Sequence, residues 1–321
     1  MTPQSARRIL QTCAEARKEM PNVVKPTALI LCILLCSICL PAICALAERP
    51  SRSGFTLWQL PEQTHSQMMS YVVRTVGGRV IVIDGGMPGD ADYLRAFLAE
   101  CGNRVDIWFV THLHDDHFGA LGEILRKPSG LRIGRIYAST LDDEWVRQYG
   151  GEGEFSSWID FQQALRSVGR RLIQLRPGGR MDVDGAVVEV LGVANPEIRV
   201  NGINNSSIVL RVSDSSKSVL FLGDLGPEGG RKLLEGKYRD RLDCDYVQMA
   251  HHGQNGVNFD VYQAASPQYC LWPTPSWLWD NNIGGQGKGT GPWRTLEVRA
   301  WMDQLGVKNH YVTADGLKRI D

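Results

Sequence analysis

The stretch DIWFVTHLHDDH occupies residues 106–117 and joins an apolar run to a cluster of histidines and aspartates. The run Asp106–Thr111 predicts a buried strand, and Phe118–Lys127 predicts a helix directly behind the cluster. His112 and His114 are two residues apart, so on an extended chain their side chains point the same way. The stretch therefore predicts a strand-to-helix junction that carries converging polar side chains.

This junction offers four candidate metal ligands, which are His112, His114, Asp116 and His117. Imidazole nitrogens and carboxylate oxygens at about 2.0–2.2 Å suit Zn²⁺, and they also suit Mn²⁺ or Fe. We therefore expect one or two divalent metal ions, with Zn²⁺ as the first choice and Mn²⁺ or Fe as alternatives.

Three further motifs also follow apolar strands. Asp84-Gly85-Gly86 follows RVIVI, Gly223-Asp224 follows SVLFL, and His251-His252-Gly253 follows YVQM. A carboxylate at a strand end, such as Asp224, is a suitable bridging ligand between two metal ions. Each motif alone is also a common strand-ending turn, so it is their combination that indicates one shared site.

Residues 54–321 predict one α/β domain without an internal linker. Two strand-rich halves, each with helices, indicate two sheets packed face to face with helices outside. His310–Thr313 and Gly316–Ile320 are expected to pair as a hairpin at the end of the chain. A body of this size buries most of its unfolded surface and does not need a metal merely to fold.

The first 47 residues have the pattern of an export signal. Residues 27–47 are apolar and uncharged, several basic residues precede them, and Ala45-Leu46-Ala47 offers a cleavage site. This pattern predicts a secretory signal peptide, with an uncleaved membrane anchor as the alternative. We expect an exported protein, secreted or tethered, that meets a membrane only through this segment.

The charge balance and the cysteines of the chain give further information on its partners and its stabilisation. The chain has 35 Lys+Arg and 35 Asp+Glu, and without the basic first segment the body is mildly acidic. This balance disfavours tight non-specific binding of nucleic acid. The body retains Cys101, Cys244 and Cys270, whose spacing predicts packed thiols rather than a disulfide framework.

Taken together, these motifs resemble those of the metallo-β-lactamase superfamily, and His112-x-His114-x-Asp116-His117 matches its hallmark. The resemblance covers about residues 55–321 and implies an αβ/βα four-layer sandwich. It implies that Asp224 bridges two metal ions and that His251 is the last histidine ligand. It also places Asp84 behind the ligands as a supporting carboxylate.

The finer matches are with the branch of the competence protein ComEC, and they include Asn204-Asn205-Ser206-Ser207 before a strand. The superfamily usually has a further histidine ligand between the hallmark and Gly-Asp. No histidine lies between His117 and His251 here, and the ComEC-like branch is similar in that respect. Water, Asn204 or Asn205 could fill the gap, and Asp142 or Asp143 is a weaker alternative.

The expected activity is a metal-dependent hydrolase, specifically a phosphodiesterase that uses a metal-bound hydroxide. Asp116 would orient the attacking water. His252 would either donate a proton to the leaving oxygen or support the site from behind. The substrate is expected to be a small-molecule or cell-envelope phosphodiester. An extracellular nuclease and a non-catalytic ligand-binding module with a retained metal site are the alternatives.

Two loops are candidates for contact with a substrate. Residues 268–293 are rich in Trp, Gly and Pro, and Trp277 and Trp279 could offer flat faces to a ring or a cation. Lys288 could meet a phosphate, and His65 lies in a loop expected near the site. The alternative is that the tryptophans pack the loop onto the body and that His65 is simply solvated.

Overall fold

The computed structural model describes residues 54–321, and the predicted signal or anchor at residues 1–47 lies outside the described residues. The strands are β1 Thr56–Gln59, β2 Ser70–Arg74, β3 Val80–Asp84, β4 Arg104–Phe109, β5 Arg132–Ala138, β6 Leu172–Gln174, β7 Arg180–Val183, β8 Ala186–Gly192, β9 Val209–Ser213, β10 Ser218–Phe221, β11 Tyr246–Gln248, β12 Tyr269–Trp272, β13 Asn309–Val312 and β14 Lys318–Ile320. The helices are α1 Ala91–Glu100, α2 Asp115–Arg126, α3 Asp143–Tyr149, α4 Glu152–Ser167, α5 Pro227–Glu235, α6 Phe259–Ala265, α7 Ser276–Trp279 and α8 Thr295–Gln304.

The strands form two mixed sheets of seven strands each, which confirms the predicted fold class. The first sheet has the order β14-β1-β2-β3-β4-β5-β6, and the second has the order β13-β12-β11-β10-β9-β8-β7. Strands β3 to β6 run parallel in the first sheet, and β10 to β13 run parallel in the second. The predicted chemical motifs follow β3, β4, β10 and β11, so they leave the sheets at the carboxyl ends of parallel strands.

Three apolar clusters hold the layers together. The central cluster lies between the sheets, where Tyr71 of β2 meets Phe221 of β10 with ring centroids 5.1 Å apart. A second cluster packs α1, α2 and α4 onto the first sheet. A third packs α5, α6 and α8 onto the second sheet. Helices therefore cover the outer face of both sheets, as the four-layer prediction requires.

The predicted C-terminal hairpin is wrong. Strand β13 pairs in parallel with β12 in the second sheet, whereas β14 pairs antiparallel with β1 in the first. The connection between them is a 3-10 turn, Thr313–Asp315, followed by Gly316 at φ 86°. Each strand completes the edge of a different sheet, which satisfies more backbone groups than a separate two-stranded ribbon would.

Helix α2 begins earlier than predicted, and this change matters for the site. It starts at Asp115 instead of Phe118, so Asp116 and His117 lie in its first turn. A Cβ atom on Gly119 would lie 2.5 Å from Pro88 Cδ. The glycine therefore allows the loop after β3 to approach α2 closely, which brings Asp84 near His117.

The three cysteines of the described residues are free thiols, in agreement with the prediction. Burial raises the pKa values of the Cys244 and Cys270 thiols, which keeps both protonated and unreactive. In the part of the chain that the structure describes, no helix combines the length and apolar character needed to cross a membrane.

We predict that Phe221→Ala lowers the free energy of unfolding by about 3–5 kcal/mol, because it opens a cavity between the two sheets. Phe221 is fully buried. The control is Val76→Ala in the turn between β2 and β3, where the side chain is 59% exposed, and its cost should stay below about 0.5 kcal/mol. Urea unfolding measures both, and equal losses would contradict the central-core assignment.

Candidate metal centre

Four buried residues bring their donor atoms together where the sheets end. Asp116, His117, Asp224 and His252 each place one donor atom within 4.8 Å of the others. His117 Nε2 lies 3.3 Å from Asp224 Oδ1. His252 Nε2 lies 3.0 Å from Asp116 Oδ2 and 3.2 Å from Asp224 Oδ2. Strands β4, β10 and β11 each deliver part of this group, which we call the donor cluster.

The donor cluster fits a divalent metal ion. One buried atom of each residue lacks a hydrogen-bond partner, namely Asp116 Oδ2, His117 Nε2, Asp224 Oδ1 and His252 Nε2. Buried polar atoms are almost always hydrogen-bonded, so four such atoms facing one another indicate a ligand. Two imidazole nitrogens and two carboxylate oxygens suit Zn²⁺, Mn²⁺ or Fe, and the arrangement does not select among them.

Asp84 supports the cluster from behind His117, where the sequence placed it. Its Oδ2 lies 2.7 Å from His117 Nδ1 and also accepts a 2.6 Å hydrogen bond from Thr111 Oγ1. Asp84 is fully buried and adopts a left-handed backbone at φ 58°, which few non-glycine residues do. This contact holds the His117 ring so that its Nε2 faces the other donors.

The other two hallmark histidines form a second group beside Asp224. His112 Nε2 lies 3.1 Å from His114 Nδ1 and 3.9 Å from Asp224 Oδ2. On the far side of the ring, His112 Nδ1 lies 3.2 Å from Ser207 Oγ. Ser207 Oγ also accepts a 2.9 Å hydrogen bond from the Asp224 backbone amide. Asp224 is therefore the member of the donor cluster that lies beside this histidine pair.

The histidine pair after β11 is arranged differently from the sequence-based expectation. His252, and not His251, completes the donor cluster, and its ring is fully buried with Nδ1 2.9 Å from the Pro273 carbonyl oxygen. The role expected of His252, as proton donor to the leaving oxygen or as support for the site, stays a prediction. Both residues adopt left-handed backbones, at φ 51° and 55°. No residue pattern revealed this local twist, which decides the direction of each ring.

The two asparagines before β9 have separate environments. Asn204 faces the site, with its Nδ2 3.4 Å from His251 Nε2. Asn205 turns away, and its Oδ1 accepts two backbone amides around the start of α5. Asp142 caps α3, and Asp143 accepts a hydrogen bond from Trp158 Nε1. Asn205, Asp142 and Asp143 therefore have structural partners and do not fill the gap among the histidines.

Sequence reasoning missed three buried polar residues that hold the strand ends. Thr111 Oγ1 and Ser207 Oγ each lie 3.2 Å from His112 Nδ1. Gln248 accepts a 2.8 Å hydrogen bond from the Leu222 amide and donates a 3.0 Å bond to the Gly223 carbonyl oxygen. The available signal was the presence of a polar residue at the end of an otherwise apolar strand. Gln248 keeps the ends of β10 and β11 together beside Asp224.

The charges of the donor cluster depend on one another. Burial alone would lower the pKa of His252, but Asp224 and Asp116 raise it to about 10. The pKa of His117 is raised well above its usual value because the same carboxylates outweigh burial. Burial alone would raise the pKa values of Asp116 and Asp224, but the imidazoles hold both below the usual value. The imidazoles and the carboxylates therefore stabilise each other's charged forms.

A polar cleft of about 450 Å³ opens above the donors. Its lining residues are Ser66, Gln67, Met87, His114, Asp115, Asp116, Gly153, Glu154, Ser157, Asn204, Asp224 and His251. None of these residues is Lys or Arg, and Asp115 and Glu154 add negative charge beyond the donor cluster. The cleft gives a substrate access to Asp116 and Asp224.

The four residues expected to contact a substrate lie outside this cleft lining. Trp279 packs against Trp272, with ring centroids 5.1 Å apart, and under the Arg299 guanidinium at 3.9 Å. Trp277 Nε1 donates a 3.0 Å hydrogen bond to the His65 carbonyl oxygen, which ties two loops together. Lys288 forms a 3.5 Å ion pair with Asp280. The alternative that the tryptophans pack the loop onto the body describes the structure better.

Comparison with known proteins identifies the family to which the chain is similar. A sequence profile of the metallo-beta-lactamase superfamily matches residues 65–263. Competence protein ComA of Neisseria gonorrhoeae is 24% identical over 225 residues, and the match covers 69% of this chain and 27% of ComA. ComE operon protein 3 of Bacillus subtilis is 26% identical over 166 residues, with 51% of this chain and 19% of that protein covered. This chain thus corresponds to a minor part of both relatives.

Among solved structures, the metallo-beta-lactamase fold protein YhfI from Bacillus subtilis is similar with a TM-score of 0.53. The match covers 83% of this chain and 100% of YhfI, at 12% sequence identity. At that identity the likeness concerns the fold alone, and it agrees with the two seven-stranded sheets.

We predict that Asp84→Asn weakens Zn²⁺ binding roughly 10–100-fold, because the amide no longer holds His117 through a carboxylate contact. The control is Asp92→Asn on α1, where the carboxylate is 95% exposed, and its affinity should match that of the wild type. Competition with a chromophoric chelator measures both dissociation constants. Equal affinities for all three proteins would contradict the supporting role of Asp84.

We also predict that metal binding strengthens as the pH rises through the neutral range. His117 and His252 have raised pKa values, so each is protonated without an ion and must lose its proton to coordinate one. Binding at pH 7 should therefore release about two protons. Calorimetric titration in buffers of different ionisation enthalpy gives that number, and a binding enthalpy independent of the buffer would contradict it.

Proposed function

The chain belongs to the metallo-β-lactamase superfamily, in the branch of the competence proteins, and we propose that it is an exported metal-dependent phosphodiesterase. The observation that carries the proposal is the buried cluster of Asp116, His117, Asp224 and His252 at the floor of an open polar cleft. A buried set of metal donors that a substrate can reach is the arrangement that metal-dependent hydrolysis needs.

The donor cluster would hold the ion through two carboxylates and two imidazoles. When bound, a divalent ion supplies a Lewis acid for a phosphoryl oxygen and acidifies a water molecule. Asp116 lies both in the cluster and in the cleft wall, so its carboxylate can orient the attacking water. Asp84 keeps His117 in place during this step, and the Pro273 carbonyl oxygen does the same for His252.

The lining of the cleft supports a small-molecule or cell-envelope phosphodiester as the substrate. Asn204, Ser157 and Gln67 carry groups that can donate hydrogen bonds to phosphoryl oxygens. Asp115 and Glu154 place negative charge in the same walls, which disfavours the repeated phosphates of a polynucleotide. The resemblance to the competence proteins keeps an extracellular nuclease as the second candidate. The proposed export rests on the signal pattern of residues 27–47.

We predict that the full chain, supplied with Zn²⁺ or Mn²⁺, hydrolyses bis(4-nitrophenyl) phosphate and that Asp116→Asn reduces kcat roughly 100–10,000-fold. The physical reason is the loss of a carboxylate that both binds the ion and orients water. The matched control is Asp240→Asn in an exposed turn, which should leave the rate unchanged. Release of 4-nitrophenolate measures all three rates.

A parallel assay with single-stranded DNA as the substrate separates the candidate functions. Faster cleavage of single-stranded DNA than of the small phosphodiester, with a steep dependence on salt, would favour the nuclease. Absence of turnover with any of Zn²⁺, Mn²⁺ and Fe²⁺ would overturn the phosphodiesterase proposal.

A further inference from the structure

The chain has no histidine between His117 and His251, so the pair His112 and His114 lacks a third imidazole from that region of the sequence. The two rings nevertheless face each other as ligands would, with His112 Nε2 3.1 Å from His114 Nδ1. Ser207 Oγ and Thr111 Oγ1 contact His112 Nδ1, so its other nitrogen faces His114 and Asp224. His112 and His114 therefore offer two imidazole ligands, and a third ligand is missing.

His251 lies at the side that is incomplete. Its Nε2 is 3.9 Å from Asp224 Oδ2, and His112 Nε2 is also 3.9 Å from the same oxygen. His251 lines the cleft together with His114 and Asp224. Its side chain is 15% exposed, which is low for a histidine at the wall of an open cleft. His112 and His251 therefore both flank the same Asp224 oxygen, and His114 lies beside His112.

The backbone explains how adjacent residues can serve two different groups. His251 and His252 both have left-handed backbones, and their ring centroids are 6.2 Å apart with a 59° angle between the planes. His252 points into the donor cluster, as described above. The His251 amide donates a 3.1 Å hydrogen bond to the Gly223 carbonyl oxygen, which anchors the turn beside Asp224. Backbone strain of this kind persists where the surrounding structure enforces a functional geometry.

We propose that His251 supplies the third imidazole of a second divalent metal position, formed with His112, His114 and the shared carboxylate of Asp224. This inference deepens the proposed function and rests on its metal site. A histidine from the turn after β11 thus replaces one that the superfamily pattern places earlier in the chain. His251 would then take the place of the histidine ligand that is missing between His117 and His251.

Asn204 is the competing candidate, since its Nδ2 lies 3.4 Å from His251 Nε2. Its Nδ2 donates a 2.9 Å hydrogen bond to Asn201 Oδ1, whereas its Oδ1, the atom through which an amide binds a cation, is buried without a hydrogen-bond partner. An imidazole nitrogen is, however, a stronger ligand than a neutral amide for Zn²⁺ and similar ions. The experiment therefore compares the two residues directly.

The first test is the metal content of the full chain after loading with Zn²⁺ and removal of the excess, measured by elemental analysis. We expect two equivalents for the wild type and for Asn204→Ala, and one for His251→Ala. His65→Ala, which changes an exposed loop histidine outside the cleft, is the matched control and should retain two. One equivalent in the wild type, or two in His251→Ala, would overturn the inference.

A second variant keeps the test valid if His251→Ala fails to fold. In Co²⁺-loaded His251→Cys, a thiolate at this position should give a near-ultraviolet charge-transfer band, because thiolates bind Co²⁺ directly. Co²⁺-loaded His65→Cys should show no such band. A folded His251→Cys protein without the band would overturn the inference, since the side chain would not reach a metal.

The measurements of metal content and of activity can refute the two proposals separately. A wild type that holds one equivalent and still hydrolyses the small phosphodiester would refute the second metal position and leave the proposed function intact. A wild type that holds two equivalents, loses one in His251→Ala and hydrolyses no phosphodiester would do the reverse.

Discussion

The burial of Asp116 and Asp224 side by side is the constraint on which the rest of the site depends. Two carboxylates removed from water cost several kcal/mol each unless positive charge compensates them. The raised pKa values of His117 and His252 favour their charged forms beside these carboxylates, and a divalent ion would provide the positive charge when both release their protons. Asp84 is also buried, which raises the pKa of its carboxyl, and its contact with His117 offsets part of that effect.

Much of the site could be predicted from the sequence because its parts are local. The hallmark places four donors within six residues at one strand end, and their spacing alone brings them together. Asp84 and Asp224 were recognisable for a related reason. Each follows an apolar run that could only be a buried strand, and parallel strands deliver their carboxyl ends to one edge. The layered fold followed from the same alternation of strands and helices.

The remaining features depend on contacts that spacing does not encode. The directions of His251 and His252 follow from two left-handed residues, and a Cβ atom on the next residue, Gly253, would lie 2.3 Å from buried Trp272. Only the packed structure reveals that constraint. The last two strands, β13 and β14, are a second example. Two short strands joined by a turn have the same sequence pattern whether they pair as a hairpin or add to the edges of two different sheets. Trp279 likewise is a residue type that is common at binding surfaces, but in the structure it packs against Trp272 and Arg299.

The proposed chemistry therefore depends on whether the donor cluster binds a metal ion. The most direct measurement is a crystallographic anomalous difference map of the Zn²⁺-loaded protein, recorded on both sides of the zinc absorption edge. We predict a peak within about 2.0–2.2 Å of donor atoms from Asp116, His117, Asp224 and His252. A map without a peak there, in crystals whose zinc lies elsewhere on the protein, would contradict it.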